Sequence, residues 1–206
     1  MEDVRVMFDF FKKADNSEII NPLNINKNSM IEFNLKELEL EGFFTFEKII
    51  QMEVGERPYT RYLVCSKAEE TEYVFEVYSL QEEGQLETYM YFLDNTIPFS
   101  EDFMEIVGQK YLTTPDGTEY ERCVMPENDY RIDGIEGSIK VYDLDAEKIT
   151  RSEDVEIWDY QRDADGVTEY LNIEMTKEDG MFRIFIGQRF EESLYKIFQG
   201  LDNNKA

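Results

Sequence analysis

The sequence predicts an α+β domain, rich in β-structure and built mainly on antiparallel sheet arranged as a meander of hairpins. Three observations carry this expectation. From Met30 onward apolar and polar residues alternate with a period of two, as in Met30-Ile31-Glu32-Phe33 and Leu38-Glu39-Leu40. The apolar runs are separated by short connections rich in Gly, Pro and Asp. No connection holds the repeated helical segments of roughly 10–15 residues that a doubly wound parallel sheet requires.

Taken in order, the chain opens with Val4, Met7, Phe8 and Phe11 at helical spacing, followed by Lys12 and Lys13. This predicts an amphipathic helix over residues 1–14, its lysines at the negative end of the helix dipole. Its apolar face can dock either on the body of the domain or on another surface. Residues 15–28 are rich in Asn and contain Asn21-Pro22, which predicts a linker. A single β-rich domain is expected over 29–200, with a flexible tail over 201–206.

Within that domain, Phe44–Val54 and Tyr59–Ser66 flank a turn at Gly55 to Pro58. Thr71–Leu80 and Leu86–Leu93 flank a turn ending at Gly84, with Tyr73, Phe75 and Val77 on one face. Tyr111–Thr114 and Glu119–Val124 flank Pro115-Asp116-Gly117, a fixed φ followed by a residue that tolerates positive φ. Val155–Gln161 and Thr168–Met175 flank Asp163 to Gly166, and Met181–Ile186 follows a turn at Glu178-Asp179-Gly180. Ser100 caps a short helix over Ser100–Val107. Phe190–Gln199 fits either a helix or a strand.

Composition narrows the function. The 206 residues include 46 Asp and Glu against 21 Lys and Arg, a net charge of -25. Such a chain repels phosphate backbones, so ordinary nucleic-acid binding is not expected, whereas basic partners are favoured. Histidine is absent, which excludes Ser-His-Asp and Cys-His catalysis and His-ligated metals. Cys65 and Cys123 lie in no metal or disulfide spacing and read as buried thiols. No apolar stretch is long enough for a transmembrane segment and no signal peptide is evident, so a cytoplasmic location is expected.

Few residues carry chemistry. Asp163, Asp165 and Gly166 recur in calcium loops, but Gln161 and Asn172 stand where an EF-hand needs its first and twelfth ligands, so a hairpin turn is expected. Asp143 and Asp145 share a strand face, as two of 46 acids do by chance. No metal, cofactor or catalytic residue is predicted, and the chain is not expected to be an enzyme. Strand alternation puts Trp158, Tyr160 and Arg162 on one face. That trio suits either a binding hot spot or a core aromatic beside a guanidinium lid.

The segment Gly117-Thr118-Glu119-Tyr120-Glu121-Arg122 resembles the dG-x-x-Y-x-R motif of the YjfK-like family of bacterial proteins of unknown function. Tyr160-Gln161-Arg162 followed by Glu169-Tyr170-Leu171 is similar to that family's Y-x-R and E-Y-L pair, and Gly187 resembles a glycine near its C-terminus. Val124 stands where the family usually has Trp. The resemblance implies an accessory role beside membrane-stress proteins, and it adds Tyr120 and Arg122 to Trp158, Tyr160 and Arg162 as candidate binding residues. The expected function is a non-catalytic acidic module that binds a protein partner, itself basic or membrane-associated. Two other classes stay open: an acidic mimic of nucleic acid seated in a basic groove, and a carboxylate-based, metal-dependent hydrolase.

Overall fold

A computed structural model describes residues 20–35, 40–55, 58–65, 72–79, 85–123 and 133–199. The strands, in chain order, are β1 Ser29–Leu35, β2 Leu40–Val54, β3 Tyr59–Cys65, β4 Glu72–Ser79, β5 Leu86–Pro98, β6 Tyr111–Thr113, β7 Glu119–Arg122, β8 Ile135–Asp143, β9 Lys148–Ala164, β10 Val167–Thr176, β11 Met181–Phe190 and β12 Tyr195–Gln199. Among the described residues one α-helix, α1, spans Glu101–Val107, with the Ser100 hydroxyl accepting from the Phe103 amide. Short 3₁₀ turns cover Pro22–Asn24 and Glu192–Leu194.

Every pairing is antiparallel, as the alternation predicts. The sheet is nevertheless no simple meander. Strands β2 to β5 form one run of hairpins and β9 to β11 another; β5 joins β11, and β8 bridges β2 to β9, closing an eight-stranded barrel. Closure depends on the two longest strands. On one edge, β2 pairs β1 through Leu40–Thr45 and β8 through Lys48–Val54. Likewise β9 pairs β8 through Lys148–Ile157 and β7 at Tyr160 and Gln161. Each strand changes neighbour along its length, which a succession of hairpins cannot do.

Two apolar layers lie outside the barrel. Under β1 and β12, Ile31, Phe33, Phe44, Phe46, Tyr62, Val64 and Phe75 form one buried cluster. Under α1 and the β6–β7 hairpin, Val107, Leu112, Trp158, Tyr160, Leu171 and Phe182 form another. The face carrying Tyr73, Phe75 and Val77 therefore packs on the outside, and alternate residues of the same strand fill the lumen.

Several expectations change. The 190–199 segment, left open between helix and strand, begins with the last residue of β11 and continues as a 3₁₀ turn and strand β12, whose Ile197 pairs with Ile31. Of the 15–28 segment read as linker, residues 20–28 are described and touch the body: the Ile20 amide donates to the Ile197 carbonyl, and Pro22 and Ile25 are buried. Cys65 is half-buried and Cys123 exposed, because Cys123 follows the last residue of β7. The helix expected over 1–14 and the tail over 201–206 fall outside the described residues.

Candidate functional site

The sequence-predicted residues come together, most of them buried, with Tyr120 and Arg162 also lining a cavity of about 500 Å³ outside the barrel. Arg122 of β7 pairs with Tyr160 of β9, whose other neighbour is Leu171 of β10. The Tyr160 hydroxyl lies 2.7 Å from the Val107 carbonyl and 3.0 Å from that of Gln109, tying down the end of α1. Arg122 donates to the Asp133 carbonyl at 2.9 Å. Trp158 has no exposed surface and packs against Phe182. Tyr120 donates to Glu169, which also accepts from Arg162 at 2.6 Å, and the Arg162 guanidinium lies over the Tyr120 ring. Although burial opposes it, these two donors hold the Glu169 carboxyl below the usual range. Four of the five candidates are buried, Arg162 being the partly exposed one. The segments that resemble the YjfK-like motifs thus meet across β7, β9 and β10.

The calcium-like Asp163 to Gly166 segment is a two-residue hairpin turn. Asp165 and Gly166 take φ of 55° and 86°, and the Asp163 carboxylate accepts from the Gly166 amide at 2.7 Å. Asp143 accepts from the Ala146 amide in the next turn.

The barrel lumen holds a different constellation. The register places Tyr59 and Arg61 of β3, Glu76 and Tyr78 of β4, Asn172 and Glu174 of β10 and Asp159 of β9 on the inner face. Arg61 projects across the lumen to the opposite strand. Its Nε donates to Glu76 at 2.5 Å, and its terminal nitrogens reach Glu174 and, at 3.3 Å, Asn172. The Asn172 amide donates to Asp159 at 2.6 Å. Rings of Tyr59 and Phe185 lie 5.4 and 5.8 Å from the guanidinium centre. Burial pushes the Glu76 and Asp159 carboxyls above the ordinary carboxylate range, against the pull of Arg61.

This polar layer divides the barrel. On one side tyrosines fill the lumen: Tyr59 stacks on Tyr78 at 4.5 Å, and Tyr89 meets Tyr78 and Tyr170 edge-on. On the other side a cavity of about 440 Å³ opens, walled by Ile50, Leu63, Val74, Val141 and Phe185 and floored by Arg61 and Glu174. Lys48, Arg151 and Arg183 also line it. Arg151 lies 2.5 Å from Glu153, and Arg183 pairs with Asp179. Lys48 forms no ion pair among the described residues, half-buried as it is.

Three β-bulges ring this end. On β2, Glu47 is the extra residue between the Phe46–Val64 and Lys48–Leu63 pairs. On β5, Asp94 is extra beside Leu93, and on β9, Thr150 is extra beside Arg151. Lys48, Leu93, Thr150 and Arg151 all line the cavity. Bulges concentrate at barrel rims and beside binding sites, where they redirect side chains. Sequence reading passed over Lys48, Arg61, Arg151, Glu174 and Arg183. One signal was present: Arg61 sits between Tyr59 and Leu63 in the alternation, a charge on an otherwise apolar face.

Among the described residues no helix is long and apolar enough to cross a membrane, and no group of three acidic or thiol side chains is placed to hold a metal ion. No protein-family model, curated protein or solved structure matches the chain.

Proposed function

We propose that this protein is a non-catalytic binding module whose barrel admits a small molecule at its bulged end. The observation that carries the reading is the coincidence of three bulges, on three separate strands, with an end of the barrel at which a cavity of about 440 Å³ opens among the described residues. A bulge forfeits regular ladder pairing, and three at one rim suit a mouth shaped for a ligand. An eight-stranded barrel is just wide enough for its own side chains or one small ligand. Here tyrosines fill one end, and the other has the apolar walls and few polar groups of a ligand site. Arg61 and Glu174, at the floor, are engaged with each other, which suits holding a ligand better than transferring a proton.

The test is a fluorescence titration with N-phenyl-1-naphthylamine, a neutral apolar probe. One saturable site is expected, weakened several-fold by Leu93→Trp, which narrows the rim where leucine is already exposed, with little change in melting temperature. Enhancement that does not saturate, or that both Leu93→Trp and Val141→Trp leave unchanged, overturns the reading.

A further inference from the structure

The mouth of the barrel also carries a chemical preference, and this inference rests on the reading that it takes a small molecule. Acids outnumber bases 46 to 21 in the chain, yet the cavity is lined by Lys48, Arg61, Arg151 and Arg183 against one carboxylate, Glu174. Partner acids offset three of these cations: Glu76 and Glu174 engage Arg61, Glu153 engages Arg151, and Asp179 engages Arg183. Lys48 remains. It stands one residue past the Glu47 bulge, in register with Leu63 of β3 on one side and Asp143 of β8 on the other, and it has no ion pair among the described residues, the Asp143 carboxylate accepting instead from the Ala146 amide. A cation without an ion pair, lining a cavity with apolar walls, is poised to receive an anion there. Anions are disfavoured on the rest of so acidic a surface.

We propose that the ligand is an anionic amphiphile. Its head, a carboxylate or a similar single anion, pairs with Lys48 between Arg151 and Arg183. Its apolar body lies along Ile50, Leu63, Val141 and Phe185, with Leu93 at the rim. A cationic amphiphile would meet Lys48 and the two arginines as like charges. A neutral one would leave Lys48 without a partner.

The experiment is isothermal titration of the full chain with decanoate, decanol and decyltrimethylammonium, each below its aggregation limit, at low and moderate NaCl. Decanoate should bind about ten-fold more tightly than decanol, the worth of one charged hydrogen bond, and the cation most weakly. Lys48→Met should remove most of the preference for decanoate and leave decanol unchanged; Lys48→Glu should reverse it. Both variants should fold as the parent does, because Lys48 is half-exposed and makes no ion pair among the described residues. If decanoate and decanol bind alike, or Lys48→Glu changes nothing, the anionic head is refuted while the ligand-binding reading stands. If none of the three binds and N-phenyl-1-naphthylamine also fails, both are refuted.

Discussion

Replacing Arg61 by methionine should be among the most damaging single changes in the barrel. The guanidinium bridges the lumen, bonding Glu76 on the neighbouring strand at 2.5 Å and Glu174 on the opposite strand. Methionine keeps much of the apolar stem but orphans both carboxyls, of which Glu76 is only 1% exposed, with Asp159 close by. Removing one partner of a buried ion pair costs about 3–5 kcal/mol, because the surviving charge has neither water nor a counter-ion. With a urea dependence on the order of 2–3 kcal/mol/M for a chain of this size, the midpoint should fall by roughly 1–2.5 M at pH 8. Protonation offers the orphaned acids an escape, so the deficit should shrink at pH 5. The triple variant R61M/E76Q/E174Q should recover at least half of the loss, since its lumen holds no unpaired charge at these positions. Urea unfolding followed by Trp158 fluorescence reads all of this. A loss below about 1 kcal/mol for R61M at pH 8, or an equal loss at pH 5 and pH 8, would refute the idea of a cross-lumen strut holding charged carboxylates.

Two further outcomes follow from the same core. Burial raises the folded-state pKa of Asp159, so its contribution is fully present below the ordinary aspartate value and is lost as pH rises through the raised one. Asp159→Asn keeps an oxygen to accept from Asn172 and removes the titration; unfolding free energies measured from pH 5 to pH 8 should slope down less steeply than in the parent, and an unchanged slope would assign the dependence elsewhere. Gly187 lies against Tyr91, where an added Cβ would stand 2.3 Å from the ring and 2.4 Å from the Met90 carbonyl. Gly187→Ala should therefore cost about 1–3 kcal/mol by overpacking, lowering the melting temperature by roughly 3–10 °C, and a drop under 2 °C would show that the Tyr91 ring moves aside freely.

The residues singled out from sequence were drawn together by the fold, but the cavity was not visible in them. Alternation, a local property, put Trp158, Tyr160 and Arg162 on one face, and the long-range pairing of β7 with β9 brought Tyr120 and Arg122 beside them. Aromatic and guanidinium groups on a strand face look alike in sequence whether they bind a partner or fasten a helix. For Tyr160 the carbonyls of Val107 and Gln109, about fifty residues earlier in the chain, are the acceptors. Lys48 stays in phase with Ile50 and Met52, and Arg151 with Val155 and Ile157, whereas the bulges at Glu47 and Thr150 change the phase of the residues before them, and a bulge is a mismatch between two strands that neither strand records alone.

Local chemistry was enough to specify the hairpins, the Ser100 cap and the antiparallel class. A turn such as Pro115-Asp116-Gly117 acts over four residues, and Gly117 takes a φ of 89° there whatever surrounds it. Closure was a tertiary decision. Strand β8 alternates Ile135, Gly137, Ile139 and Val141 on one face, but its partner Lys48–Val54 lies more than 80 residues earlier, so the pattern names a strand without naming a neighbour. Closing the sheet gave most strands two buried faces. It then fell to the lumen, too narrow for water to solvate every polar group, to pair Arg61 with acids on β4 and β10 and leave its bulged end to Lys48.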